Sequence, residues 1–197
     1  GRLKMQASVL GYFVHEKVER FEARPDKAVA TPAFFGSFKV LKNHDLSVRA
    51  FYKRMFRMPT FNDLYYTDMG NAFLKPEYAE QFNVGLKYTR NFEKSPFMRM
   101  LDVSVDAYYN KITDKIIAYP KGQQFRWTML NLGEVEIKGV DAVLNALFTL
   151  GKLEVTTKFQ YTYQKAIDIT DPADTYYRDQ IPYIPWHSGS AILALFY

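Results

Sequence analysis

Leu153-Glu154-Val155-Thr156-Thr157-Lys158-Phe159-Gln160-Tyr161-Thr162-Tyr163-Gln164 decides the architecture. Leu153, Val155, Thr157, Phe159, Tyr161 and Tyr163 fall on one side of an extended chain. Glu154, Thr156, Lys158, Gln160, Thr162 and Gln164 fall on the other. A period of two over twelve residues is the signature of a strand with one apolar and one wet face. Leu101–Tyr109, Leu46–Tyr52 and Glu80–Tyr88 repeat it, and Leu3–Val14, Ala33–Leu41, Val135–Phe148 and His187–Tyr197 carry it less cleanly. The reading is an all-β antiparallel meander of about eight strands, each roughly 9–13 residues long, which suits a tilted membrane-crossing strand better than the shorter strands of soluble sheets.

Composition agrees. The 197 residues are 48% hydrophobic and 17% aromatic, yet mean hydropathy is only -0.27, because apolar and polar residues alternate instead of forming blocks. No apolar run reaches the ~20 residues of a membrane-spanning helix, whereas alternating strands escape a hydropathy scan. The absence of cysteine removes disulfide and thiolate-metal frameworks. A net charge of +5 is spread among 21 acidic residues, with none of the clustering that nucleic acid requires. Gly1-Arg2-Leu3-Lys4 runs straight into a strand with no signal peptide, so the expectation is a piece or a mature form of a longer protein.

The connections give the second signal. Short links at Lys42–Asp45, Asn91–Met98 and Leu150–Lys152 alternate with long polar ones, read as loops at Lys17–Pro32, Phe56–Tyr78, Lys111–Glu134 and Ile167–Trp186. Membrane barrels have short periplasmic turns and long outer loops; compact soluble domains rarely carry several such loops. Tyr52, Tyr88, Tyr109 and Tyr163 stand at strand ends, where a barrel places its aromatic girdle. A soluble β-sandwich also alternates, but strand length, loop alternation and aromatic ends together favour the transmembrane barrel.

Three boxes then narrow the class. Phe56-Arg57-Met58-Pro59-Thr60-Phe61-Asn62-Asp63-Leu64-Tyr65-Tyr66 is followed by Gly70-Asn71-Ala72-Phe73-Leu74-Lys75-Pro76-Glu77 and a strand with Glu80 and Gly85. Asn131-Leu132-Gly133-Glu134 then leads to Ile137-Lys138-Gly139-Val140-Asp141. This resembles the TonB-dependent outer-membrane receptors, closely over Arg49–Asn145 and in pattern only on the flanks. The resemblance implies a 22-stranded barrel of the bacterial outer membrane, closed by an N-terminal plug and driven by TonB, that imports iron-siderophores, haem, cobalamin or glycans. Residues 1–197 are then expected to be one partial barrel domain, a late section of the wall. The plug and TonB box would lie outside it, and lipid, the TonB system and a small nutrient would be the partners.

Arg57 reads as a ligand contact or as the partner of a carboxylate such as Asp63 or Glu77. Pro59 reads as a strand terminator, and Gly70-Asn71 as turn chemistry. Asn62, Asp63, Tyr65 and Tyr66 combine aromatic surface with hydrogen-bonding groups and are ligand candidates or loop structure. Lys121, Gln123, Gln124, Phe125, Arg126 and Trp127 form a cationic, aromatic stretch suited to an anionic chelate or to lipid headgroups. His15, His44 and His187 fall outside Thr60–Gly70, where haem receptors of this family carry a histidine, so haem ranks below the other substrates. Asp168, Asp171 and Asp174 read as a solvated acidic loop, since the glycine and terminal glutamate of a calcium loop are missing; no metal or cofactor is expected. Ser188 beside His187 is no catalytic pair, because neighbours on a strand face opposite ways, and no enzymatic motif appears. The leading reading is therefore a section of an importer for cobalamin or a ferric siderophore. A passive pore or adhesin barrel is the alternative, and a soluble all-β binding module a third.

Overall fold

The computed structural model describes the chain apart from residues 1, 16, 18–26, 42–44, 67–68, 122–125 and 183, with backbone alone at 120, 121 and 126. Among the described residues eight strands form one sheet in strict sequence order, every neighbour antiparallel. They are β1 (Leu3–Val14), β2 (Lys27–Lys39), β3 (Asp45–Arg57), β4 (Glu77–Asn91), β5 (Met98–Lys121), β6 (Arg126–Leu150), β7 (Leu153–Asp168) and β8 (His187–Phe196). Among the described residues one short helix, α1 (Phe61–Tyr65), lies between β3 and β4. The meander expected from the alternation is present, and the sheet is open, with β1 and β8 at its two edges.

Strand length and two of the loops need correction. Strands run from 10 residues in β8 to 25 in β6, not 9–13. Within the expected loop Lys111–Glu134, residues 111–121 and 126–134 are strand: β5 and β6 stay paired from Lys111↔Glu136 out to Lys121↔Arg126. Its polar content is deceptive because this part of the hairpin stands beyond the apolar band, where both faces meet water or other loops. The Lys17–Pro32 loop is shorter than expected, since β2 starts at Lys27 and pairs with β1 along its whole length. Pro32 does not end the strand. Instead the β2–β3 ladder stops at Ala33, next to Pro32, which has no N–H to donate. The short link over 42–44, with His44, lies outside the described residues.

Register assigns the two faces. One carries Leu46, Val48, Ala50 and Tyr52 of β3 beside Tyr88, Leu86, Val84 and Phe82 of β4, then Val103, Val105, Ala107 and Tyr109 of β5. Val84 and Leu86 are more than half exposed, as suits side chains that face lipid. From Leu101 to Tyr109 this apolar stripe spans about 27 Å of strand at ~3.4 Å per residue. A tilt of ~40° turns that into about 21 Å of depth, close to a barrel's apolar band. Its upper edge is an aromatic row across four strands: Phe34, Tyr52, Phe82 and Tyr109, with ring centroids 6.4, 4.9 and 6.3 Å apart. Directly above it comes the row Arg54, Glu80, Lys111, Glu136. The step from aromatic to charged marks the membrane surface on the long-loop side.

The other face is the lumen wall, with Arg49, Lys87, Asp102, Asp106, Asp141 and Gln160 along it. Asp102 is held by Lys87 (3.1 Å), Thr89 (2.7 Å) and Asn145 (3.3 Å). Higher on the same wall the side chains turn apolar. Ala79, Ile112, Val135, Ile137 and Ala166 are buried together with Ile181, which the β7–β8 connection folds against them.

Candidate functional site

The first two sequence boxes build one object at the outer end of the sheet. β3 ends at Arg57, and the buried Pro59 follows, so the chain leaves the ladder where no further donor is needed. Thr60 then caps α1. Its hydroxyl accepts from the Asp63 amide (3.2 Å), and the Asp63 carboxylate accepts from the Thr60 amide (2.8 Å). This reciprocal capping box lets a helix of only five residues hold its place.

Arg57 ties the two boxes together. Its guanidinium donates to Asp63 (3.2 Å) and lies 3.6 Å from Glu77, so it uses both carboxylates that the sequence offered. Glu77 in turn accepts the Ile116 amide (3.1 Å), locking the base of β4 to the tall hairpin. The Asn71 amide donates to the Asp63 carbonyl (2.8 Å), and its side chain donates to the Met129 carbonyl (3.0 Å). Gly70 closes the turn on the Tyr66 carbonyl (2.7 Å). Leu64 and Leu74 are buried against Ile116, with Tyr65 and Met129 around them. Pro76 leads directly into β4. Together these boxes fasten the 58–76 connection onto β5 and β6.

Asn131, from the third box, completes the fastening. Its side chain accepts from the Lys75 amide (2.8 Å) and donates to the carbonyls of Lys75 (3.1 Å) and Asp114 (2.7 Å). Gly139 belongs to the lumen wall instead. The Tyr108 ring crosses above it toward Gln164 (3.4 Å), and a Cβ there would stand 2.3 Å from that ring.

What remains for a ligand is the outward side of this brace. Asn62 is exposed, Tyr66 is 59% exposed, and Tyr65 is half-buried against Phe61 with ring centroids 5.0 Å apart. Phe61 and Phe73, on the same connection, are 76% and 93% exposed and are absent from the sequence-based candidates; aromatics in a polar outer loop are the signal that could have found them. Trp127 is half-buried near the tip of the hairpin, away from α1 in sequence, and Arg126 holds a ladder position opposite Lys121. Gln123, Gln124 and Phe125 fall outside the described residues.

Asp168, Asp171 and Asp174 each accept a backbone amide two residues ahead, at 2.8, 2.8 and 3.0 Å, so each closes a turn. Among the described residues no three histidines or carboxylates converge as a metal site. His187 pairs through Nδ1 with the Tyr161 hydroxyl (2.7 Å) on the lipid-facing side.

An aromatic-edged apolar band, a polar lumen wall and a braced outer loop describe a section of membrane-barrel wall. The family described as TonB dependent receptor-like, beta-barrel matches residues 12–197. The chain belongs to the TonB-dependent receptor family. It is 34% identical over 99 residues to the Vitamin B12 transporter BtuB of Vibrio vulnificus, covering 50% of this chain and 14% of that protein. It is also 34% identical over 113 residues to the Vitamin B12 transporter BtuB of Photobacterium profundum, covering 54% of this chain and 16% of that protein. The matched stretch thus spans less than a fifth of either relative. Membership of the TonB-dependent receptors puts the sheet in the bacterial outer membrane.

Proposed function

We propose that this TonB-dependent receptor section forms part of the wall and outer rim of an importer for a corrinoid such as cobalamin. The observation that carries the reading is the likeness to two vitamin B12 transporters over about half of this chain. The chemistry of the braced loop supports it. Phe61, Tyr66 and Phe73 expose aromatic faces, and Asn62 adds amide donors and an acceptor. A broad, partly apolar ring bearing amides is complementary to such a surface. Capture would occur at this rim, and release into the periplasm would follow from TonB acting on a plug supplied by another part of the receptor.

The test is direct binding of cyanocobalamin and of a ferric siderophore to the full receptor in detergent, by tryptophan quenching. Cobalamin should bind, and Tyr66→Ala with Asn62→Ala should weaken it about tenfold, the effect of losing one aromatic contact and one hydrogen bond. Binding of the siderophore with none of cobalamin would sink the corrinoid reading. Solute uptake that persists without TonB would point instead to a passive pore.

A further inference from the structure

The aromatic row at the outer membrane surface ends on two lysines. Lys138 of β6 lies opposite Tyr109, and Lys165 of β7 lies opposite Lys138. Like charges facing each other across an antiparallel pair destabilise it, and a carboxylate offsets only one of the two. The one carboxylate among the cleft's described lining residues, Glu136, is already shared between Lys138 (2.8 Å) and the Tyr109 hydroxyl (3.2 Å). Lys165 lies over the Trp186 ring at 5.7 Å. Arg178 lies over the Tyr177 ring at 6.0 Å, and among the described residues neither Lys165 nor Arg178 has a carboxylate within ion-pair distance.

Arg178 closes the group from the β7–β8 connection. Its φ of 68° is left-handed, a conformation that costs a non-glycine residue roughly 1 kcal/mol or more. Its amide donates to the Asp168 carbonyl (2.7 Å), which holds the turn in that shape. Arg178, Lys138, Lys165, Glu136 and Ile167 line a cleft of about 320 Å³. By register Glu136, Lys138, Lys165 and Ile167 share the lipid-facing side, and just below them Tyr163 packs against Trp186 with ring centroids 6.3 Å apart. Three cations and one occupied carboxylate thus sit at the depth where outer-leaflet headgroups begin.

We propose that this cleft binds the phosphate of an outer-leaflet lipid headgroup. Arg178 presents a planar fork to the phosphate oxygens, and Lys165 and Lys138 supply point charges on either side. The acyl chains run down the apolar stripe of β6 and β7, past Val140, Tyr163 and Phe159. A lipid is the fitting occupant because the cleft is continuous with the lipid-facing surface and its excess charge is positive. The site stands apart from the nutrient-binding rim, so it is independent of which nutrient is carried.

The experiment is native mass spectrometry of the full receptor in detergent, titrated with diphosphorylated lipid A and with dephosphorylated lipid A. The phosphorylated lipid should bind preferentially. Lys165→Gln with Arg178→Asn should lose about tenfold in affinity, the equivalent of one charge-assisted hydrogen bond. Asparagine tolerates the left-handed backbone, so the turn is preserved. Lys152→Gln, in the short turn at the opposite end of β7, should bind as wild type. If the double variant does not fold, Lys165→Gln alone should still lose severalfold. Equal binding of the two lipids, or unchanged binding in the variants, would overturn the proposal. Displacement of the lipid by inorganic phosphate at comparable concentration would make this a free-anion site and overturn the lipid assignment.

Discussion

Arg49 on β3 binds Asp106 on β5, two strands away, by crossing directly over Gly85. Register puts the three residues in one row of the lumen wall, and Arg49 Nε donates to Asp106 at 3.0 Å while Nη2 meets the second carboxylate oxygen. A side chain on the middle strand would block this reach, since a Cβ at Gly85 would stand 2.1 Å from Asp106 Oδ1. The same device recurs where Tyr108 crosses Gly139. The glycine of the Glu80–Gly85 strand and the Gly139 of the third box are therefore there for what passes over them.

Gly85→Ala should destabilise the refolded receptor by about 1–2 kcal/mol, a modest value because Arg49 stays about a third exposed. Gly139→Ala should cost more, about 2–3 kcal/mol. There the added Cβ also meets the Tyr163 carbonyl at 2.6 Å, which cannot swing aside. Gly36→Ala, with nothing within 4 Å, is the control and should be silent. Heat-modifiable migration on gels reads all three, and equal midpoints would contradict the crossing of side chains over these glycines.

Arg57→Lys should behave almost as badly as Arg57→Ala. One ammonium cannot span Asp63 and Glu77 as a guanidinium does. With Arg57 about half exposed, the loss is about 1 kcal/mol, and it is local. Amide exchange should accelerate across α1 while β3 and β4 keep their protection; protection unchanged in α1 would remove Arg57 from its bracing role.

Asn131→Ala removes three hydrogen bonds at once and should release the 69–76 segment from the hairpin, at about 2–3 kcal/mol. Limited proteolysis of the full receptor should then cut within 58–76 severalfold faster. Asn131→Asp keeps the bond from the Lys75 amide but not the two donated ones, so it should fall between wild type and alanine.

Two valines separate the faces. Val105→Arg, midway between Leu101 and Tyr109 on the lipid side, should cost about 2–4 kcal/mol or prevent insertion. Val143→Arg, on the lumen wall near Asp102 and Asp141, should cost less than about 1 kcal/mol. Folding yield into vesicles distinguishes them, and a reversed order would invert the face assignment made from register.

Much of the fold is legible in the residues because a strand's period of two is local. Leu153–Gln164 declares its two faces without reference to any neighbour, and Phe56–Glu77 and Gly139 are recognisable as written. The polar stretch Lys111–Glu134 reads as a loop for the converse reason. Beyond the apolar band neither face must be hydrophobic, so alternation fades while hydrogen-bonded pairing continues. For the site, Asp63 and Glu77 are both visible as partners of Arg57, but the docking of Asn131 on Lys75 is not, since 56 residues separate them.

The amino-acid sequence by itself determined that this chain makes long two-faced strands, which face meets lipid, and which family of barrels carries its boxes. Tertiary structure alone decided what meets across the strands: Arg49 with Asp106, Tyr108 with Gln164, Lys138 with Lys165. The reason is physical. Side-chain direction follows from each residue's own place along the strand, whereas cross-strand neighbours follow from register, which connections and pairing energies set over the whole sheet.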